Sequence, residues 1–480
     1  MPVDLKLWRD RAREARPGEE ASLVEDLARE LEKVRSTDPD SEEEYQILWL
    51  LLPLARRAGQ LGRFRLDVDR AYELATGRPD QEVLALSTLR ADLEQAEGRY
   101  HDAEETLRQA LQRTADLPPA RKAAVLLKLG RLLVRRERYD QARALLENVL
   151  PVLETDGGPG QVATCLFHLG NLALWQHRLD EAMEHHERAL VRRQEQDDGR
   201  GLCASLSALG AVCRAQGNYP RALAFYQDAE AQALAANDER ELAYALFGVG
   251  RTLYRLGDFT GAATRLRAVL EVRSRAADTE GTATAQLAVA ETELALGHLA
   301  AADKAAQEAL FHLEIHSPAV IVGDAERLLG RIRLAQKRSG PARQHFVKAL
   351  AHHKKADDLA AAASDRSWLL RLALEWPVRE EIEPATEALA TFLATQPYPD
   401  IGEWLDLRLF EGLEALRKLG VTTDRVRQRR IHLERAYQTL MRKTGFLEPA
   451  QRHRFLFQVQ DNDAIVQAAT RNGLAHGLPG

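Results

Sequence analysis

A glycine or alanine returns every 40 residues through the middle of the chain, at Gly130, Gly170, Gly210, Gly250, Ala290 and Gly330. A second small residue follows each by twelve, at Ala142, Ala182, Ala222, Ala262, Ala302 and Ala342. Seven or eight positions further on, Val149-Leu150, Ala189-Leu190, Val269-Leu270, Ala309-Leu310 and Ala349-Leu350 keep step, and only Ala229-Glu230 departs. Six registered copies without an insertion require a repeated supersecondary unit, and a period between about 20 and 50 residues is that of a solenoid.

Each copy reads as two helices. Leu242, Leu246, Val249, Leu253 and Leu256 recur at three- and four-residue intervals, which is a helical stripe. Leu256-Gly257-Asp258 breaks it, and Phe259, Ala262, Leu266, Val269 and Leu270 resume the period. Glycine inside a helix costs about 1 kcal/mol relative to alanine. Its recurrence at one repeat position therefore needs a compensating cause, and close approach of the paired helices supplies one.

Leu129-Gly130 with Tyr139 and Ala142, Leu169-Gly170 with Leu179 and Ala182, Leu209-Gly210 with Tyr219 and Ala222, Val249-Gly250 with Phe259 and Ala262, and Leu329-Gly330 with Ala342 together resemble the tetratricopeptide repeat. The resemblance covers residues 84–357, and its 40-residue spacing is similar to that of the subgroup found in adaptor proteins. It implies an all-α fold, a right-handed α-solenoid or superhelix of stacked antiparallel helix pairs, and a role in protein–protein interaction. The family's turn glycine is kept at Gly217, Gly257 and Gly297 and replaced by Glu137, His177 and Lys337 elsewhere.

Outside the array the chain divides by its breakers. Residues 1–42 are predicted to form an N-terminal helical cap, with a break at Arg16-Pro17-Gly18, and 43–117 to hold divergent helical repeats, the second of them marked by Gly98, Tyr100, Ala103, Leu107 and Ala110. The registered array takes 118–357. A divergent repeat follows over 358–397, broken at Pro377 and Pro384, and then a C-terminal helical cap over 398–472 and a flexible tail over 473–480. Within the C-terminal part the pattern predicts one helix from Thr423 to Thr444 and one or two short ones from Pro449 to Thr470. Gln451 to Gln467 is similar to the closing stretch of large bacterial signalling proteins that carry such arrays, but no GxxxxGK[ST], HRD or DFG accompanies it.

Charged residues make up 29% of the sequence and are spread along helices, and hydrophobic residues make up 45%, ample for a continuous core. The net charge of -6 disfavours a general nucleic-acid binder. Cys165, Cys203 and Cys213 form no CxxC pair and fit core positions in a reducing compartment. The N-terminus lacks the apolar core of a secretory signal, and the longest apolar run, Ile47 to Ala55, is far short of the roughly 20 residues of a membrane span. A cytoplasmic chain with no membrane contact is the expectation.

No catalytic constellation, cofactor motif or metal site is predicted. His312 and His316 lie a helical turn apart without a nameable third ligand, and the adjacent pairs His185-His186 and His352-His353 point in different directions on a helix. The sharper signal is in the first helices, which in this family line the concave side. The positions three before and one, four and five after the small residue form one stripe. In the first two copies it holds Leu127, Arg131, Val134 and Arg135, then Phe167, Asn171, Leu174 and Trp175. Ser207, Ala211, Arg214 and Ala215 follow, then Phe247, Arg251, Tyr254 and Arg255, with Tyr244 one turn earlier. Leu287, Glu291, Leu294 and Ala295 precede the last set, Arg327, Arg331, Leu334 and Ala335.

Seven of these are arginine and one is acidic. Arginine forks beside aromatic faces suit an acidic peptide segment with hydrophobic anchors, so the expected partner is another protein. Binding is expected to concentrate at the fourth copy, on Tyr244, Phe247, Arg251, Tyr254 and Arg255, and Arg251 and the sixth copy's Arg331 are expected to face solvent and contribute little to folding. A competing use is nucleic-acid association through Arg425, Arg427, Arg429, Arg430, Arg435, Arg442 and Lys443, and a third is an enzyme of unrecognised type.

Overall fold

The structure is a computed structural model that describes residues 5–14, 20–38, 41–58, 60–75, 77–97, 99–135, 138–196, 198–275, 278–313, 319–356, 358–375, 379–395 and 402–474. Among them there are 25 α-helices, one short 3-10 helix and no strand. The fold is an all-α solenoid of antiparallel helix pairs, and it divides into two compact units, Met1–Leu172 and Ala173–Gly480.

The 40-residue step of the sequence is the step of the helices. First helices span Pro119–Arg135, Pro159–Trp175, Gly199–Ala215, Glu239–Arg255, Thr279–Ala295 and Ala319–Ala335. Second helices open on the residues paired with those glycines in the sequence, at Tyr139–Asp156, Leu179–Gln194, Tyr219–Ala235 and Phe259–Arg275, and continue with Leu299–His312 and Ser339–Lys355. A Cβ on Gly250 would lie 2.7 Å from Leu266 Cγ, and one on Gly330 would lie 2.6 Å from Phe346 Cε1. In both pairs the partner sits sixteen residues on. Where the glycine is Ala290, the residue sixteen on shrinks to Ala306, fully buried in the same apolar cluster. Bulk is thus exchanged between facing positions.

The turns repeat as well. Gly217, Gly257 and Gly297 hold φ of 79°, 78° and 81°, and His177 and Lys337 are driven into the same left-handed region at 59° without glycine's freedom. Glu137 lies outside the described residues. Asp198, Asp278 and Asp358 cap the helices that follow, each accepting from the backbone N–H three positions on, at 3.0, 2.9 and 2.8 Å.

In the first unit, helix Glu20–Thr37 buries Leu23, Val24, Leu27, Leu31 and Val34 in one core with Tyr45, Leu48, Leu51 and Leu52 of helix Glu42–Arg57. That apolar stripe makes it a member of a helix pair, beyond the polar ending that a cap requires. The break read at Arg16-Pro17-Gly18 and the glycine at Gly98 lie outside the described residues.

The second unit departs from the sequence reading at three places. Helix Arg379–Thr395 runs through Pro384, which sits close enough to the helix start to remove only an early backbone bond; Pro377 lies outside the described residues. The single helix read over Thr423 to Thr444 is two, Asp424–Arg427 and Arg430–Thr444, because the Arg429 guanidinium donates to the Val426 carbonyl at 3.1 Å and to Glu414 at 2.5 Å at the interruption. Two helices follow, Pro449–Phe457 and Gln460–Arg471. These C-terminal helices fold back onto the repeats: Tyr219 and Leu256 share one core with Leu433, Leu440, Phe455 and Ile465, and the Tyr219 and Phe455 rings are 5.7 Å apart. A Cβ on Gly257 would meet the Arg454 carbonyl oxygen at 2.9 Å. The segment read as an end cap therefore also forms a side wall.

Candidate functional site

The first helices Gly199–Ala215, Glu239–Arg255, Thr279–Ala295, Ala319–Ala335 and Leu359–Ala373 present one face in common, and helix Gly402–Lys418 with residues 458–461, which lead into the last helix, stands across it. Between them lies a cavity of about 520 Å³. Its lining holds Arg214, Arg251, Arg255, Arg327, Arg331 and Arg371 against two carboxylates, Glu291 and Asp461, with Tyr254, Phe259, Trp368 and Trp404 as the aromatic part. A smaller cavity of about 290 Å³ beside it is lined by Phe247, Arg251, Asp324, Arg327 and Arg331, among others.

The stripe read from the sequence is thereby assembled in part. Arg214, Arg251, Tyr254, Arg255, Arg327 and Arg331 meet in the larger cavity, Phe247 lines only the smaller, and Tyr244 lines neither. Tyr244 is 48% exposed, with the Arg273 guanidinium 5.4 Å from its ring centre. Trp175 is 59% exposed. Arg131, Phe167 and Asn171 lie in the first unit, where Arg131 is exposed and 3.7 Å from Asp92, and Phe167 packs edge-on to His168. The side chain of Arg135 lies outside the described residues.

Arg251 and Arg331 are not the free, solvent-facing cations that the sequence suggested. Glu291, the one acid of the stripe, accepts from Arg251 Nη1 at 2.5 Å through one oxygen and from Arg331 Nη1 at 2.6 Å through the other. The three side chains are only 19–32% exposed. Burial pushes the Glu291 carboxyl up, but the two guanidinium charges outweigh it and hold the group well below the usual carboxylate range. Tyr254, which lines the same cavity as Arg331, is 9% exposed. Arg251 of the fourth copy is thus part of a bridge that runs through Glu291 to the sixth.

Arg327 is bound too, by Asp324 and by Asp365 at 3.2 Å. Asp365 in turn meets His353 Nδ1 at 2.5 Å in the interior. Burial opposes a charge on His353, yet the bonds to Asp324 and Asp365 prevail and its pKa is pushed up to about 9. Of the histidine pairs in the sequence, His352-His353 is therefore split, one ring buried in an ion network and the other half-buried at the surface. His316 lies outside the described residues, and no group of three or more metal-ligating side chains occurs among those described. Cys165, Cys203 and Cys213 are free and buried, and burial raises their thiols to about 12, 11 and 11.

Arg371, Trp368, Trp404 and Asp461 escaped the sequence reading. The signal for Arg371 was present: it stands 40 residues after Arg331 and 120 after Arg251, one copy beyond the point where the marking glycines stop. Trp404 and Asp461 carried no such mark, because they reach the cavity by the fold-back of the C-terminal helices. There Arg255 lies over the Trp404 ring at 4.5 Å.

Apart from Arg442, which donates to the Thr439 hydroxyl at 3.4 Å, the C-terminal cations have carboxylate partners. Arg425 meets Glu387 at 2.5 Å, Arg427 meets Asp424 at 3.4 Å, and Arg429 meets Glu414 at 2.5 Å. Arg430 meets Glu434 at 3.1 Å, Arg435 meets Asp406 at 2.5 Å, and Lys443 meets Glu403 at 2.6 Å. Such pairing leaves little charge for a phosphate backbone. No described helix is long and apolar enough to cross a membrane.

Residues 82–155 and 161–235 match the family model described as the tetratricopeptide repeat. Among curated proteins none matches the sequence. Solved structures similar to the chain include aspartyl phosphate phosphatase F from Bacillus subtilis, at 14% identity over 75% of this chain and 94% of that one, with a TM-score of 0.49. A STAND-type signal transduction ATPase with a tetratricopeptide repeat sensor from Pyrococcus horikoshii is 15% identical over 72% of this chain and 54% of that one, with a TM-score of 0.46. A tetratricopeptide repeat protein from Parabacteroides merdae is 17% identical over 56% of this chain and 93% of that one, with a TM-score of 0.40.

Proposed function

We propose that this tetratricopeptide-repeat protein is a non-enzymatic interaction scaffold or regulatory subunit that holds an acidic, hydrophobically anchored segment of a protein partner on the first-helix face of its repeats. The observation that supports this reading best is the lining of the larger cavity, with six arginines, four aromatic rings and two carboxylates. Guanidinium forks match carboxylates in shape and charge, and aromatic and arginine side chains are the usual energetic anchors of interfaces. Tyr244 and Trp175, both exposed, supply aromatic surface for such a segment outside the cavity. Arg131, Arg135, Phe167 and Asn171 are the partner-binding residues proposed for the first unit.

Affinity capture from the native host tests the reading. The full chain is compared with the double variant Arg214→Glu, Tyr244→Ala, which alters one half-buried and one exposed side chain. A protein retained by the wild type should be depleted at least tenfold on the variant, with the helical spectrum unchanged. Equal capture by both would move the interface off this face.

A further inference from the structure

One position per repeat runs along the first helices at the 40-residue step, through Arg251, Glu291, Arg331, Arg371 and Glu411. In its first part the charges close a circuit, because Glu291 gives one oxygen to each neighbour, Arg251 and Arg331. In its second part they do not. Glu411 is engaged by Arg408, whose other terminal nitrogen reaches Asp461 at 3.3 Å. Both acids near Arg371 are thus held by a different arginine. Arg371 makes no hydrogen bond or ion pair among the described residues, and its guanidinium lies 5.2 Å from the Trp368 ring centre.

Burial first, and then the charge of Arg408, push the Arg371 pKa down. The surroundings of this cation work against its charge, and a partly buried cation in that position is costly unless an anion completes it. A guanidinium supported on an aromatic face keeps its N–H edge available for an oxyanion. We propose that the cavity binds a small phosphorylated molecule, held through a dianionic phosphate on Arg371 and the guanidiniums around it. A carboxylate offers two oxygens, and Glu291 shows both spent on two arginines. A phosphate monoester offers three terminal oxygens and close to two negative charges at neutral pH, so it engages several arginines at once. About 520 Å³ is the size of a small-ligand pocket. Its C-terminal wall is docked through a closed apolar core, with Tyr219 and Phe455 1% and 2% exposed, which holds Trp404 and Asp461 in place along one side of it.

This inference goes beyond the partner reading and does not need it, since the anion is measured with no partner present. Inorganic pyrophosphate is titrated calorimetrically into the full chain, with citrate as a carboxylate of comparable charge. The wild type should bind one pyrophosphate saturably and bind citrate more weakly. Arg371→Gln, which has no ion pair to break, should weaken pyrophosphate at least tenfold, and Arg371→Lys should recover part of the loss. Hydrogen exchange on the wild type gives a readout free of any substitution: pyrophosphate should protect helix Leu359–Ala373 and residues 458–461. Absence of saturable binding, citrate binding as tight as pyrophosphate, an affinity unmoved by Arg371→Gln, or protection confined to other segments would each overturn the assignment.

Discussion

Glu291→Gln removes the one carboxylate that holds Arg251 and Arg331 together. The glutamine keeps the volume and offers a single carbonyl acceptor, so two guanidiniums drawn in from neighbouring repeats are left facing each other across a neutral group. Breaking a buried ion pair by deleting one partner costs about 3–5 kcal/mol, and the residual exposure of these three side chains lowers that to roughly 2–4 kcal/mol. At about 2 cal/mol/K of unfolding entropy per residue, a unit of roughly 300 residues loses about 1.5 °C per kcal/mol, so the melting temperature should fall by about 3–6 °C. The assay is a thermal melt followed by far-ultraviolet circular dichroism at pH 7. Because Glu291 titrates below its ordinary value of 4.5 when folded, its contribution is complete above that pH and is lost as pH falls through the lower folded value. The wild-type and variant curves should therefore converge in acid. Replacing the whole bridge, as Arg251→Met, Glu291→Leu and Arg331→Met together, should recover most of the loss, because apolar side chains of similar volume carry no desolvation cost. A Glu291→Gln protein that melts within about 1 °C of wild type at pH 7 would refute the bridge as a structural element.

Gly250→Ala should destabilise by about 1–3 kcal/mol, since its Cβ would come within 2.7 Å of Leu266, and chemical denaturation should show this cost sharply reduced in a Leu266→Ala background. Lys337→Gly should stabilise by about 0.5–1 kcal/mol in the same assay by relieving a left-handed φ of 59°, less the entropy that glycine adds to the unfolded chain. His353, raised from 6.5 to about 9 in the folded chain, contributes stability that is full below about 6.5 and lost as pH rises through 9. Melts from pH 6 to 10 should show that decline, up to roughly 3 kcal/mol, and His353→Gln should flatten it.

The repeat, its helix boundaries and its glycine contacts were legible because each is a local consequence of spacing. A Gly250 without a Cβ and a Leu266 sixteen residues on are both visible as letters, and so is the exchange that puts Ala306 opposite Ala290. The pairing of charges was not. Arg251, Glu291 and Arg331 sit on one stripe in the sequence, yet only the rotation between neighbouring repeats decides that a glutamate reaches arginines on both sides and turns a solvent face into a bridge. Arg371 was within reach of the same periodicity, hidden only because Leu370 stands where a glycine marked the earlier copies. The wall contributed by Trp404 and Asp461 was out of reach, since the fold-back that brings them in rests on apolar contacts of Tyr219 and Leu256 with helices some 200 residues away along the chain.

The most direct test is to locate the anion. Crystals of the full chain soaked in tungstate, a dense tetrahedral dianion like phosphate, should show an anomalous peak inside the cavity within bonding distance of the Arg371 guanidinium. The peak should vanish in Arg371→Gln crystals. Peaks confined to the outer surface, with the cavity empty at saturating tungstate, would contradict the account.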